Sequence, residues 1–170
     1  MRRLWLAMGL AAAGIAAIAG CEVSTRGGLP AHVRTVEVHV FENRTMNYGL
    51  EGRLTRSVIE AIHREPSVRI VNTGGEAIIA GEIVDVKRVP IRETISNRPG
   101  TTRVVVTARV SFMDDVTRSF LLDDVAISSD MASVTAGLYD EDRGETYSAA
   151  EAAAIDALAR EIVRRTIGMW

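Results

Sequence analysis

Apolar and polar residues alternate along Val33–Phe41, with Val36, Val38 and Val40 on one side and Thr35, Glu37 and His39 on the other. That period of two is the signature of a half-buried strand. The period then changes: Leu50, Leu54, Val58 and Ile62 recur every four residues, which predicts an amphipathic helix with Asn47 available as its cap. Pro66 disfavours helical geometry at Glu65, so the helix should stop near Arg64. Ser67–Val71 reads as a short strand, Asn72–Gly75 as a turn, and Ala77–Val89 as a long strand, because it is rich in β-branched residues and has an early glycine. Beyond a loop at Ser96–Gly100, Val104, Val106, Ala108, Val110 and Phe112 alternate with Arg103, Thr107, Arg109 and Ser111. This strand should form a hairpin with Val116–Ser128 around Asp114 and Asp115. Residues 130–147 show no clear period and read as a mobile acidic connection. Ser148 and Glu151 then match a capping box, followed by an apolar stripe of Ala152, Ile155, Leu158, Ala159, Ile162 and Thr166 up to Gly168. Two helices can cover only one face of such a sheet. The expectation is an α+β two-layer sandwich with two helices on one face of a four- or five-stranded mixed sheet, the other face being left for solvent or a partner.

The first residues belong to a different pattern. Arg2 and Arg3 precede an uncharged run from Leu4 to Ile18, followed by the small residues Ala19 and Gly20. This is a signal-peptide pattern, too short for a permanent membrane span of about 20 residues. Ile18-Ala19-Gly20-Cys21 resembles a bacterial lipobox, in which the thiol of Cys21 takes a diacylglycerol and the cysteine becomes the first residue of the mature chain. Two or three acyl chains of the palmitate kind suffice for stable anchoring. The expected organisation is a signal peptide over residues 1–20, an acylated tether over 21–30 and a single domain over 31–170. Glu22 after the cysteine suggests, by analogy with bacterial sorting, the outer membrane facing the periplasm.

Composition narrows the function by exclusion. The 170 residues carry a net charge of -2, and loss of residues 1–20 removes only Arg2 and Arg3 among charged groups, leaving 18 basic against 22 acidic residues. Nothing there predicts nucleic-acid binding. His32, His39 and His63 are scattered over a tail, a strand and a helix without metal-ligand spacing. An acylated Cys21 has no thiolate for catalysis. Asp140–Glu145 lacks the glycine that a calcium loop needs at its sixth position. Asp114-Asp115 and Asp123-Asp124 are adjacent pairs whose side chains point to opposite sides of a strand, which suits turns and edges. Gly27-Gly28 and Gly74-Gly75 are spacers, and Asn43-Arg44-Thr45 is a glycosylation pattern without meaning beside a bacterial lipobox. No catalytic residue, metal ligand or cofactor is expected. What remains is charge: Lys87, Arg88 and Arg92 close one strand, while Arg103 and Arg109 share a side of the next. On an uncovered face these would offer a basic strip to an anionic ligand, although exposed strands also carry Arg and Lys to resist edge pairing.

Leu29-Pro30, the valine strand ending in Phe41-Glu42-Asn43-Arg44-Thr45, and Gly49-Leu50-Glu51 together resemble lipopolysaccharide-assembly lipoproteins of the LptE type. Ala77, Gly81 and Ile83 are similar to that family's next strand, and Glu151–Thr166 to its terminal helix. His39 stands where many relatives have proline, and the acidic loop Asp140–Glu145 has no counterpart. The resemblance implies a non-enzymatic protein that assembles with and plugs an LptD-type outer-membrane translocon barrel. It also implies lipopolysaccharide contacts, which would fall to Lys87, Arg88, Arg103 and Arg109. Valine strands with a Phe-x-Asn ending also resemble periplasmic activators of cell-wall synthases and secretion-pore subunits, a second implied function.

Overall fold

The computed structural model describes residues 29–93 and 99–168. The leader, Cys21 and most of the tether expected before Pro30 lie outside the described residues, as does much of the expected loop after Glu93. Within them the order is β1 (Thr35–Val38), β2 (Glu42–Asn43), α1 (Leu50–Ile62), β3 (Arg69–Val71), β4 (Ala77–Glu93), β5 (Pro99–Asp114), β6 (Ser119–Ser128), α2 (Ser129–Ala132), β7 (Leu138–Tyr139) and α3 (Tyr147–Val163). The sheet runs β3-β1-β4-β5-β6. β1 is parallel to β3 and β4, whereas β4, β5 and β6 are antiparallel. β2 continues along the flank of β4 that β1 leaves, and β7 continues along the flank of β5 that β6 leaves. The α+β two-layer arrangement is as expected: α1 and α3 cover one face.

The core sits between these layers. Val36, Ile79, Ile83, Val104, Val106, Val110 and Phe112 from the sheet meet Leu50, Leu54, Val58 and Ile62 of α1 and Ile155, Leu158 and Ile162 of α3, all essentially inaccessible to water. Each such side chain contributes roughly 1.5–3 kcal/mol on burial, which is what holds two marginal helices on the sheet.

Four local expectations are corrected. The first strand ends at Val38, and Val40 is exposed, because the chain turns Phe41 inward under α1 before pairing resumes at β2. The Phe41 amide donates to Thr55 Oγ1 at 3.0 Å, and its ring lies against Gly81, where a Cβ would stand 2.8 Å from Phe41 Cε1 and 2.5 Å from the Arg109 carbonyl oxygen. α1 begins behind Gly49 in the left-handed region (φ 82°) without a side-chain cap, and Asn47 instead donates to the Tyr147 hydroxyl at 3.1 Å. α3 is capped by Thr146, whose Oγ1 accepts from the Ala149 amide at 3.3 Å, two residues before the expected box, and its stripe runs through Ala154 while Ala152 is exposed. Finally, residues 130–147 are built from α2, β7 and a 3-10 turn at Glu141–Arg143. Buried Tyr139 anchors this segment, and Asp140 accepts from the Asp142 amide at 3.1 Å.

Candidate functional site

The face of the sheet away from α1 and α3 carries the expected charges, and the register decides which of them. In β5 the even residues Val104 to Phe112 are buried under the helices, so Arg103, Thr107, Arg109 and Ser111 point to the open side. Lys87 pairs across the strands with Val105 and joins them, whereas Arg88 pairs with Val104 and belongs to the helix side. Its guanidinium lies 4.2 Å from the centroid of the Tyr147 ring, a cation–π contact at the start of α3. The structure therefore places Lys87, Arg103 and Arg109 on one face and removes Arg88 from it. The Arg92 side chain lies outside the described residues.

Most of these charges are already matched. Arg109 grips Asp124 with both prongs of its guanidinium, Nε to Oδ1 at 2.7 Å and Nη2 to Oδ2. That hydrogen bond and charge hold the Asp124 carboxyl below the usual aspartate range and push Arg109 up. Asp124 can face Arg109 because it sits at a bulge of β6 in the left-handed region (φ 49°), its amide bonded to Ser111 Oγ at 3.1 Å. Lys87 Nζ meets Asp85 Oδ2 at 2.6 Å, and Arg44 Nε meets Glu82 Oε2 at 2.5 Å. Together His39, Val40, Arg44, Glu82, Arg109, Ser111 and Asp124 line a shallow hollow of about 330 Å³. Arg103 differs: it stands between Val89 and Leu138 in register, and its Nε is buried without a hydrogen-bond partner among the described residues. Sequence spacing found Arg103 and Arg109 but missed Asp124, Asp85 and Arg44. The Asp-Asp doublet was visible, but a bulge that turns one aspartate toward β5 is not.

Elsewhere, His32 Nε2 lies 2.8 Å from Asp114 Oδ2, His39 lies beside Glu37, and His63 caps the end of α1. Among the described residues no group of three or more His, Cys, Asp and Glu side chains could hold a metal ion, and no helix is long and apolar enough to cross a membrane.

This two-layer fold is found in known proteins. Its fold resembles the hypothetical protein CT253 from Chlamydia trachomatis, at 13% identity and a TM-score of 0.52 over 78% of this chain and 94% of that one. It also resembles the PelC dodecamer from Paraburkholderia phytofirmans, at 9% identity and a TM-score of 0.50 over 82% and 90%. At these identities the likeness is one of fold alone. Comparison with curated proteins returns no match. The family model of LptE, described as lipopolysaccharide-assembly, matches residues 33–167, nearly the whole described domain. The chain belongs to this family of lipopolysaccharide assembly.

Proposed function

We propose that the chain is an acylated lipoprotein, held at the outer membrane through Cys21, that assembles with an LptD-type lipopolysaccharide translocon barrel and occupies its lumen. The observation that carries this reading is the family match over residues 33–167. The open face supports it chemically. The interior of a wide outer-membrane barrel is polar, so a plug needs a surface of satisfied charges rather than an apolar patch. Arg109–Asp124, Lys87–Asp85 and Arg44–Glu82 supply such a surface. Arg103, which makes no ion pair among the described residues, is the cation of this face left to bind a lipid A or core phosphate through the outer nitrogens of its guanidinium, in short, charge-assisted, two-pronged bonds.

The test is mild-detergent purification of the full-length acylated protein from its native membranes, with mass spectrometry of proteins and lipids. Recovery of a large outer-membrane barrel in near one-to-one ratio is expected. Recovery of a cell-wall synthase, or of the protein alone, would overturn the assembly reading. In the same preparation Arg103→Lys keeps the charge but loses the fork. It should lower co-recovered lipopolysaccharide several-fold at unchanged barrel stoichiometry, and unchanged lipid would remove Arg103 from the contact.

A further inference from the structure

α1 and α3 lie side by side and run in the same direction: Arg53 reaches Glu151, Ser57 bonds Asp156 at 2.8 Å, and Ala61 shares a hollow with Arg160 and Val163. Both helices therefore end at the same end of the molecule. Six residues after α1 the chain enters β3, whose first residue, Arg69, is in register with Thr35, the first of β1. The first residues of β1, β3 and β4 and the β5–β6 turn all gather there, because Val36 pairs with Ala77 and Ala77 with Asp114. The described chain also starts there: Val33 is buried, and the Arg34 carbonyl accepts from the Arg69 amide at 2.9 Å. Cys21 lies eight residues before Leu29, a stretch that spans at most about 29 Å.

Two features of this end are unexplained by the fold. Arg34, Arg64, Arg69 and Arg160 are exposed, and among the described residues none of their side chains has a hydrogen-bond or ion-pair partner. The nearby carboxylates are largely taken. Glu76 accepts from the Arg34 and Thr35 amides, Asp114 from those of Val116 and Thr117, Asp115 pairs with Arg118, and Glu161 pairs with Arg164 and Arg165. Glu60 and Glu65 remain without such partners. At the same end of the molecule, across the sheet from Arg69, the β5–β6 turn exposes Val116 by 64% and the start of β6 exposes Phe120 by 56%. Arginines near helix C-termini complement the helix dipole, which accounts for Arg64 and Arg160. It does not account for Arg34 and Arg69 at strand starts, or for two large apolar side chains left in water.

Unpaired cations sharing one end of a domain with exposed apolar side chains are the chemistry of a surface that lies on anionic lipid headgroups. We propose that this end of the domain, through Arg34, Arg64, Arg69 and Arg160 with Val116 and Phe120 as the apolar contact, docks on the phospholipid headgroups of the bilayer that holds the acyl anchor. The docking rests on the anchored-lipoprotein reading only for how the domain is brought to the membrane, and it belongs to the anchored chain before it enters a barrel. It sets the orientation, with the β4–β5 hairpin and Tyr48 directed away from the bilayer.

The experiment uses the full-length acylated chain with Phe120→Cys, labelled with a polarity-sensitive fluorophore. Cys21 is the chain's only cysteine and is blocked when acylated. The protein is reconstituted into phosphatidylcholine vesicles with and without phosphatidylglycerol. A blue shift only with phosphatidylglycerol, abolished by high salt, is expected. Each arginine near such a surface raises binding about fivefold, so the triple variant Arg64→Glu, Arg69→Glu, Arg160→Glu should lower the docked fraction at least tenfold, and the three glutamine replacements should give a smaller loss in the same direction. Equal emission in both vesicles, indifference to charge reversal, an equal shift for a label at Tyr48→Cys, or a shift that needs lipopolysaccharide would each overturn the proposal. Incorporation of two labels would show a free Cys21 and defeat the anchor reading. Cosedimentation of that unacylated chain with the same vesicles then decides the surface: salt-sensitive binding to the anionic ones alone supports it, and its absence overturns it.

Discussion

Glu161 is 2% exposed and is held by three guanidinium bonds, from Arg164 Nε at 2.8 Å, Arg164 Nη2 at 2.6 Å and Arg165 Nε at 2.7 Å. The Arg164 bonds, assisted by Arg165, outweigh burial and keep its carboxyl below the usual glutamate range. A depressed carboxyl stabilises the fold above the unfolded value of about 4.3, and that contribution disappears as pH falls through the lower native one. Glu161→Gln should therefore cost about 1–2 kcal/mol at neutral pH, with the gap to the parent closing below pH about 4 in denaturant titrations. At Gly81 the difficulty is space: Gly81→Ala forces a methyl against the Arg109 carbonyl and the Phe41 ring and should cost about 1–3 kcal/mol by the same measurement. Phe41 and Asn43 were legible as a motif, and the structure gives it a folding role. Asn43 Nδ2 donates to the Asn47 carbonyl at 2.7 Å and to Glu51 Oε2 at 2.9 Å, tying the turn before α1 to the helix it starts.

At the scale of elements, periodicity located β4, β5, α1 and α3 because each is long enough to show its period. Their ends were harder. The Ser148–Glu151 box is present in the sequence, but Glu151 is drawn into the helix interface, where it accepts from the Tyr147 hydroxyl at 2.7 Å and meets Arg53 at 3.4 Å, so Thr146 takes the capping role. Thr146→Ala should lower stability by about 1 kcal/mol in thermal or urea unfolding, while Ser148→Ala should change it by less than about 0.5 kcal/mol. The reverse order would restore the box. Residues 130–147 concealed their order for a physical reason: a four-residue helix, a two-residue strand and a single 3-10 turn each span only about one period, too little for a pattern to repeat. Pairing of Leu138 and Tyr139 with β5 holds them in place.

The molecule as a whole has a buried side and an open side, and neighbouring strands show both. Phe112, under the helices, is inaccessible, whereas Phe120, paired one step further along the β5–β6 hairpin with Met113, is half exposed on the open side. Phe112→Ala should cost about 3–5 kcal/mol and Phe120→Ser less than about 0.5 kcal/mol by chemical unfolding, and comparable losses would mean that the open face is covered in solution. By itself the sequence determined the α+β class, the strands β4 and β5, the two covering helices and the family motif from Leu29 to Glu51. These rest on short-range periodicity, which a chain carries before it folds. Only the tertiary structure decided which cations are free. The bulge that turns Asp124 toward Arg109, the stack that takes Arg88 to the helix side, the isolation of Arg103 and the gathering of Arg34, Arg64, Arg69 and Arg160 at one end depend on residues tens of positions apart. Their charges are visible in the sequence, but whether each is neutralised is fixed by register and packing.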